Sequence, residues 1–94
     1  MVIDYTGWIV RSEAGHDKGG IFCVVGEEGG LLLLADGKGR KIARPKKKKM
    51  SHVSVLNRGG YLSPTIQRLG MGEPVTDRAL RRALAAFREE LRRV

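Results

Sequence analysis

Apolar residues in this chain come in short bursts divided by glycine and charge. Trp8-Ile9-Val10 is a first run of strand-forming types, opening after Gly7. A polar, glycine-rich connector, Ser12 to Gly20, leads to a second run, Ile21 to Val25, that Gly26 closes. Glu27-Glu28-Gly29-Gly30 has the make-up of a hairpin turn, and Leu31 to Ala35 is the third run. Asp36-Gly37 is a strong two-residue hairpin signal. It predicts a short fourth strand around Lys41-Ile42-Ala43, broken by Pro45. His52 to Leu56 is a fifth strand in the same reading. Short strands with tight turns predict a small β-barrel over residues 1–58. Two of the strands are apolar on consecutive positions instead of alternating, so both their faces need cover.

The remaining segment, 59–94, supplies a candidate for that cover. Ser63-Pro64 is an N-cap followed by proline at the first helical position, and it predicts one or two helical turns through Ile66 and Leu69 to Gly70. Thr76 or Asp77 can cap a longer helix over about 77–93. Leu80, Leu84, Phe87 and Leu91 recur at spacings of four, three and four, and Ala83 widens this single stripe. The rest of the helix surface is largely arginine. The expected fold is therefore mostly β, a small barrel with a C-terminal α-helix docked on it, on a neighbouring copy or on a partner protein.

Charge changes the picture from fold to function. The net charge is +8, but it is local. Residues 1–35 set Arg11 and Lys18 against Asp4, Glu13, Asp17, Glu27 and Glu28, a net of −3. Residues 36–58 set nine Lys or Arg against Asp36 alone, and residues 59–94 seven Arg against four acids. A basic patch of this kind is the footprint of a polyanion partner. Lys46 to Lys49 is its densest part. Lysines are point charges suited to phosphates, whereas Arg40 and Arg44 can grip a phosphate with two hydrogen bonds each.

Catalytic inventory is thin. Cys23 stands alone, so neither an internal disulfide nor a cysteine-built zinc site is possible. There are two histidines, no His/Cys/carboxylate cluster at metal spacing and no Gly-x-Gly-x-x-Gly. The expectation is a binding protein and not an enzyme, without cofactor, metal or small-molecule substrate. No apolar run approaches the ~20 residues of a membrane span, and nothing in Met1 to Gly7 reads as a signal peptide. A cytoplasmic, membrane-free setting is expected by default.

The segment Gly7 to Val25, with Ala14-Gly15-His16-Asp17-Lys18-Gly19 at its centre, resembles the KOW motif of ribosomal proteins and NusG-type transcription factors. Asp36-Gly37-Lys38-Gly39-Arg40-Lys41, Arg44-Pro45-Lys46-Lys47-Lys48-Lys49 and His52 extend the likeness. Together they resemble a bacterial group of KOW-domain RNA-binding proteins, itself similar to the e-type large-subunit ribosomal protein family numbered fourteen. The resemblance covers residues 5–56 and implies an SH3-like barrel and an RNA ligand, often ribosomal RNA. Gly15, Gly19 and Gly20 would take positive φ and leave the loop open to a nucleic-acid backbone, flanked by His16 and Lys18, while Asp17 would order the turn through an Asx contact. The candidate RNA-binding residues are Gly15, His16, Lys18, Lys38, Arg40, Lys41, Arg44, Lys46, Lys47, Lys48, Lys49 and His52. With few aromatics, shape and phosphate readout of structured RNA, such as a ribosome or other ribonucleoprotein, is favoured over base stacking. Two alternatives stand beside it. One is a transcription-linked KOW module contacting RNA polymerase or nascent RNA. The other is a protein-interaction barrel using Leu31 to Leu34 and the helix stripe.

Overall fold

The computed structural model describes residues 3–93. Five strands, β1 (Ile9–Ser12), β2 (Ile21–Glu28), β3 (Leu31–Ala35), β4 (Lys46–Lys48) and β5 (Val53–Asn57), form one antiparallel sheet in the order β4-β3-β2-β1-β5. A single 3-10 turn, Met50–His52, links the two end strands, and two helices, α1 (Pro64–Gly70) and α2 (Asp77–Arg92), follow.

Consecutive apolar positions in β1, β2 and β3 are explained by cover on both faces. Val10, Phe22, Val24, Leu32 and Leu34 turn to one side and pack with Trp8, Met50, Val53 and Val55. Ile9, Cys23 and Ala35 turn to the other and meet Ile66, Leu69, Leu80, Ala83, Leu84 and Phe87 from the helices. The helix stripe therefore docks on its own sheet. Leu80, Leu84 and Phe87 are each at most 5% exposed, and burying such a side chain stabilises by about 1.5–3 kcal/mol. Leu91 departs from the expected stripe. It stays 43% exposed and takes no part in the buried cluster.

Caps fall where the sequence put them. The Ser63 hydroxyl accepts from the Ile66 amide with Pro64 at the helix start, and the Thr76 hydroxyl accepts from the Ala79 amide. Of the two cap candidates for the long helix, Thr76 takes the role. The chain lacks any helix, among the described residues, that is long and apolar enough to cross a membrane.

Three local expectations are corrected. Residues 41–44 make a turn, and the fourth strand lies further on, at Lys46–Lys48. Leu32, Leu33 and Leu34 pair with Lys48, Lys47 and Lys46, so the polylysine stretch is an edge strand held by its backbone. Pro45 precedes it at the edge, where its missing N–H costs no ladder bond. Gly26 does not end β2. The strand continues to Glu28 across a register shift between Val24 and Gly26, and the turn is Gly29-Gly30 alone, both at positive φ (57° and 80°). That pair of left-handed residues is what a two-residue hairpin on twisted strands requires. Third, Gly20 is not a positive-φ glycine. Its missing side chain makes room for the Phe22 ring, 2.9 Å from where a Cβ would sit.

Candidate nucleic-acid interface

The connector between β1 and β2 is a closed, hydrogen-bonded loop. The Ser12 amide donates to the Gly20 carbonyl (2.9 Å) and the Gly19 amide returns a bond to Ser12 (2.7 Å). Gly15 and Gly19 take φ of 75° and 89°, the left-handed values the expected opening needs. Gly15, His16 and Lys18 are exposed at its tip.

The stretch from Asp36 to Pro45 is a second knot. One Asp36 carboxylate oxygen accepts from the Lys38 amide (2.9 Å) and the Arg40 amide (2.8 Å), and the Asp36 and Gly37 amides both donate to the Arg40 carbonyl. The turn is thereby closed from both sides. Lys38, Lys41 and Arg44 project from it into solvent.

Loop and knot are joined by side chains. An Arg40 guanidinium nitrogen lies 2.9 Å from an Asp17 carboxylate oxygen, in a half-buried ion pair. Asp17 thus anchors the knot to the loop in place of the expected Asx contact, although its carbonyl does accept from the Gly20 amide. Lys48 is 8% exposed. Its partner across the ladder, Leu32, faces the interior, so its stem is buried and its Nζ reaches the Ala14 carbonyl at 2.9 Å. With Gly15 lacking a Cβ, that ammonium passes close beneath the loop tip. A third tie is the Glu13 amide donating to the His52 carbonyl at 2.8 Å.

These ties divide the twelve candidate residues. Gly15, His16, Lys18, Lys38, Lys41, Arg44, Lys46, Lys47, Lys49 and His52 are exposed. Arg40 and Lys48 have structural partners and act by holding the others. Lys47 meets the Glu28 carboxylate at 3.3 Å, with both side chains more than half exposed, a contact worth at most about 1 kcal/mol and easily exchanged for a phosphate. Lys41 Nζ lies 3.4 Å from the Gly37 carbonyl, a long and weak bond. The basic segment and the glycine loop, far apart in sequence, are brought into one neighbourhood.

No family model matches the sequence, and comparison with curated proteins finds no match to it.

Two features had no clear sequence signal. The Asp17–Arg40 pair joins residues 23 positions apart, and nothing in either local pattern marks it. At the opposite end of the β1–β5 pair, Trp8 lines a cleft of about 430 Å³ with Arg58, Gln67 and Met71. The Trp8 ring packs edge-on to Tyr5 at 4.7 Å and lies 5.8 Å below the Arg58 guanidinium. Tyr61 meets Phe87 edge-on at 5.0 Å on the helix side of the sheet. Among the described residues no three His, Cys, Asp or Glu side chains stand together as metal ligands.

Proposed function

We propose that this chain is an RNA-binding domain that holds structured, ribosomal RNA through phosphate contacts to its basic edge. One observation carries the proposal. The lysine-rich edge strand and the Asp36–Pro45 knot are fastened to the glycine loop by Lys48–Ala14 and Arg40–Asp17, and Lys18, Lys38, Lys41, Arg44, Lys46, Lys47 and Lys49 on these three joined segments are exposed. Cations that outnumber the acids beside them, Glu28 meeting Lys47 in an exposed pair, attract a polyanion, and lysines select phosphates over base edges. The exposed glycine loop lets a sugar–phosphate backbone approach without a side chain in the way.

The strand order, with a single 3-10 turn between β4 and β5, supports an SH3-like barrel, and this agrees with the KOW resemblance of residues 5–56. On this reading the domain is a binding module and not an enzyme, requires no cofactor, and works in the cytoplasm on a ribonucleoprotein. A KOW module of the transcription apparatus would use the same edge on nascent RNA, and co-purification of polymerase subunits in place of ribosomal RNA would mark it.

The test is fluorescence anisotropy with a structured RNA at several salt concentrations. About six phosphate contacts give a slope of log affinity against log salt of roughly −4 to −5. Lys46→Ala, Lys47→Ala and Lys49→Ala together should flatten it by roughly 2 and weaken binding by at least about tenfold at 0.1 M salt. Lys48 is left in place so that the loop stays fastened. A triple variant with wild-type slope and affinity would overturn the assignment of this edge.

A further inference from the structure

The outer surface of α2 is not evenly charged. At 3.6 residues per turn, Arg78, Arg81, Arg88 and Arg92 fall within an arc about 80° wide, centred about 120° from the buried stripe of Leu80, Ala83, Leu84 and Phe87. All four are exposed. Ala85 lies in the same arc between them, so nothing bulky interrupts the row. The row runs about 21 Å along the helix. Acidic residues are mostly elsewhere. The Asp77 carboxylate is occupied by the Ile42 amide at 2.8 Å. Glu90 falls on the opposite flank, the side of Tyr61. Burial, and after it the Glu90 carboxylate, push that tyrosine's hydroxyl above its ordinary value. Among the described residues Glu89 alone reaches the row, at 3.7 Å from Arg92 in a contact open to water.

This row does not stand apart from the basic edge. The knot is seated against the first turn of α2 on the arginine flank. A Cβ on Gly37 would lie 2.1 Å from the Asp77 carbonyl oxygen and 3.0 Å from the Arg81 amide nitrogen. The Ile42 amide makes the second contact of the knot with this turn, and Lys38, Lys41 and Arg44 are exposed on the same knot. The face of α2 that a membrane surface would need is already buried on the sheet, which leaves the row free only for a polar, anionic partner.

We infer that the Arg78, Arg81, Arg88 and Arg92 flank of α2 is a second RNA-binding strip, continuous with the knot, along which the phosphate backbone of a structured RNA extends beyond the lysine edge. This rests on the RNA-binding function proposed above. Guanidinium groups grip phosphates with paired hydrogen bonds, so the strip fixes the direction of the RNA while the lysines supply less directed attraction.

The experiment compares wild type with the fourfold variant Arg78→Gln, Arg81→Gln, Arg88→Gln and Arg92→Gln, after circular dichroism shows its helix content unchanged. Glutamine keeps helix propensity and removes charge. With a duplex of about 20 base pairs, long enough to lie on the strip as well as on the lysine edge, the four added contacts should steepen the wild-type slope to roughly −7 to −9, and the fourfold variant should flatten it by roughly 3 and lower affinity at 0.1 M salt at least about tenfold. The matching arginine-to-lysine variant should keep the slope and still lose affinity. If the fourfold variant fails to fold, Arg88→Gln with Arg92→Gln should flatten the slope by about 1 to 2. Wild-type protein that binds RNA, with the glutamine variants binding equally well, would overturn the strip and leave the lysine edge standing. Wild-type protein that binds no RNA would overturn both. Loss of polyaspartate binding without loss of RNA binding would show that the flank meets a protein and would also overturn the strip.

Discussion

Replacing Gly37 by alanine should loosen the joint on which the basic surface is assembled. Two costs add. The residue sits at φ +78°, where a Cβ costs about 1–2 kcal/mol. The added methyl would also lie 2.1 Å from the Asp77 carbonyl oxygen. That atom belongs to the backbone of α2 and cannot rotate aside, so knot and helix must separate, an overpacking worth about 1–3 kcal/mol. A destabilisation of about 3 kcal/mol is the central expectation, a large share of the 5–15 kcal/mol that holds a small domain together. At about 4–8 °C per kcal/mol for a chain of this size, Tm should drop by roughly 10–25 °C. Gly39→Ala is the matched control. A Cβ there meets nothing within 4 Å, and its cost should stay within about 0.5 kcal/mol. Urea titrations of both variants, followed by circular dichroism, give the comparison. If Gly37→Ala unfolds within about 0.5 kcal/mol of Gly39→Ala, the seating of the knot on α2 is not what the structure describes.

Lys48→Ala removes a buried stem and a bond to the Ala14 carbonyl, and should cost about 1–2 kcal/mol in thermal unfolding, whereas exposed Lys46→Ala should cost under about 0.5 kcal/mol. Burial pushes the Cys23 thiol up to about 12, so a disulfide reagent at pH 8 should leave the native protein unlabelled and react only after denaturant is added. The Ser54 hydroxyl, and then Arg11, hold the Glu13 carboxyl below its ordinary value of 4.5. The folded chain therefore binds that proton less readily than the unfolded chain. The resulting stabilisation is complete above about pH 4.5 and fades as pH falls through the lower folded value. Glu13→Gln should flatten the acid limb of a stability–pH curve, measured by urea midpoint, and leave pH 7–8 little changed in slope.

What was legible in the sequence was whatever depends on neighbours along the chain. Apolar runs gave β1, β2 and β3, and the Ser63-Pro64 and Thr76 caps gave both helices. The need for cover on two faces followed from unbroken apolar stretches, and α1 and α2 answer it. β4 was illegible because its determinant lies in another strand. Lys46 to Lys48 has no alternation of its own, and becomes a strand only because β3 offers it a backbone ladder. For the same reason the pattern could not separate Lys48, which turns inward opposite Leu32, from its exposed neighbours. Asp17 and Arg40 show the same limit. Each is an ordinary turn residue until the fold places them 2.9 Å apart. The arginine row was visible as composition. Its meaning depended on the knot being seated beside it.

The lysine edge strand also bears on self-association. An end strand leaves backbone N–H and C=O groups unpaired along its outer side, a template on which another chain can add. Here that strand carries three consecutive lysines, two of them exposed. A second copy approaching in strand register would bring like charges together. The ends most open to stacking are thus kept apart by repulsion as long as the lysines remain charged. Acetylation at Lys46 and Lys47 would remove that guard. A bound polyanion would neutralise the same charges and, lying over them, would itself keep a second copy from the strand.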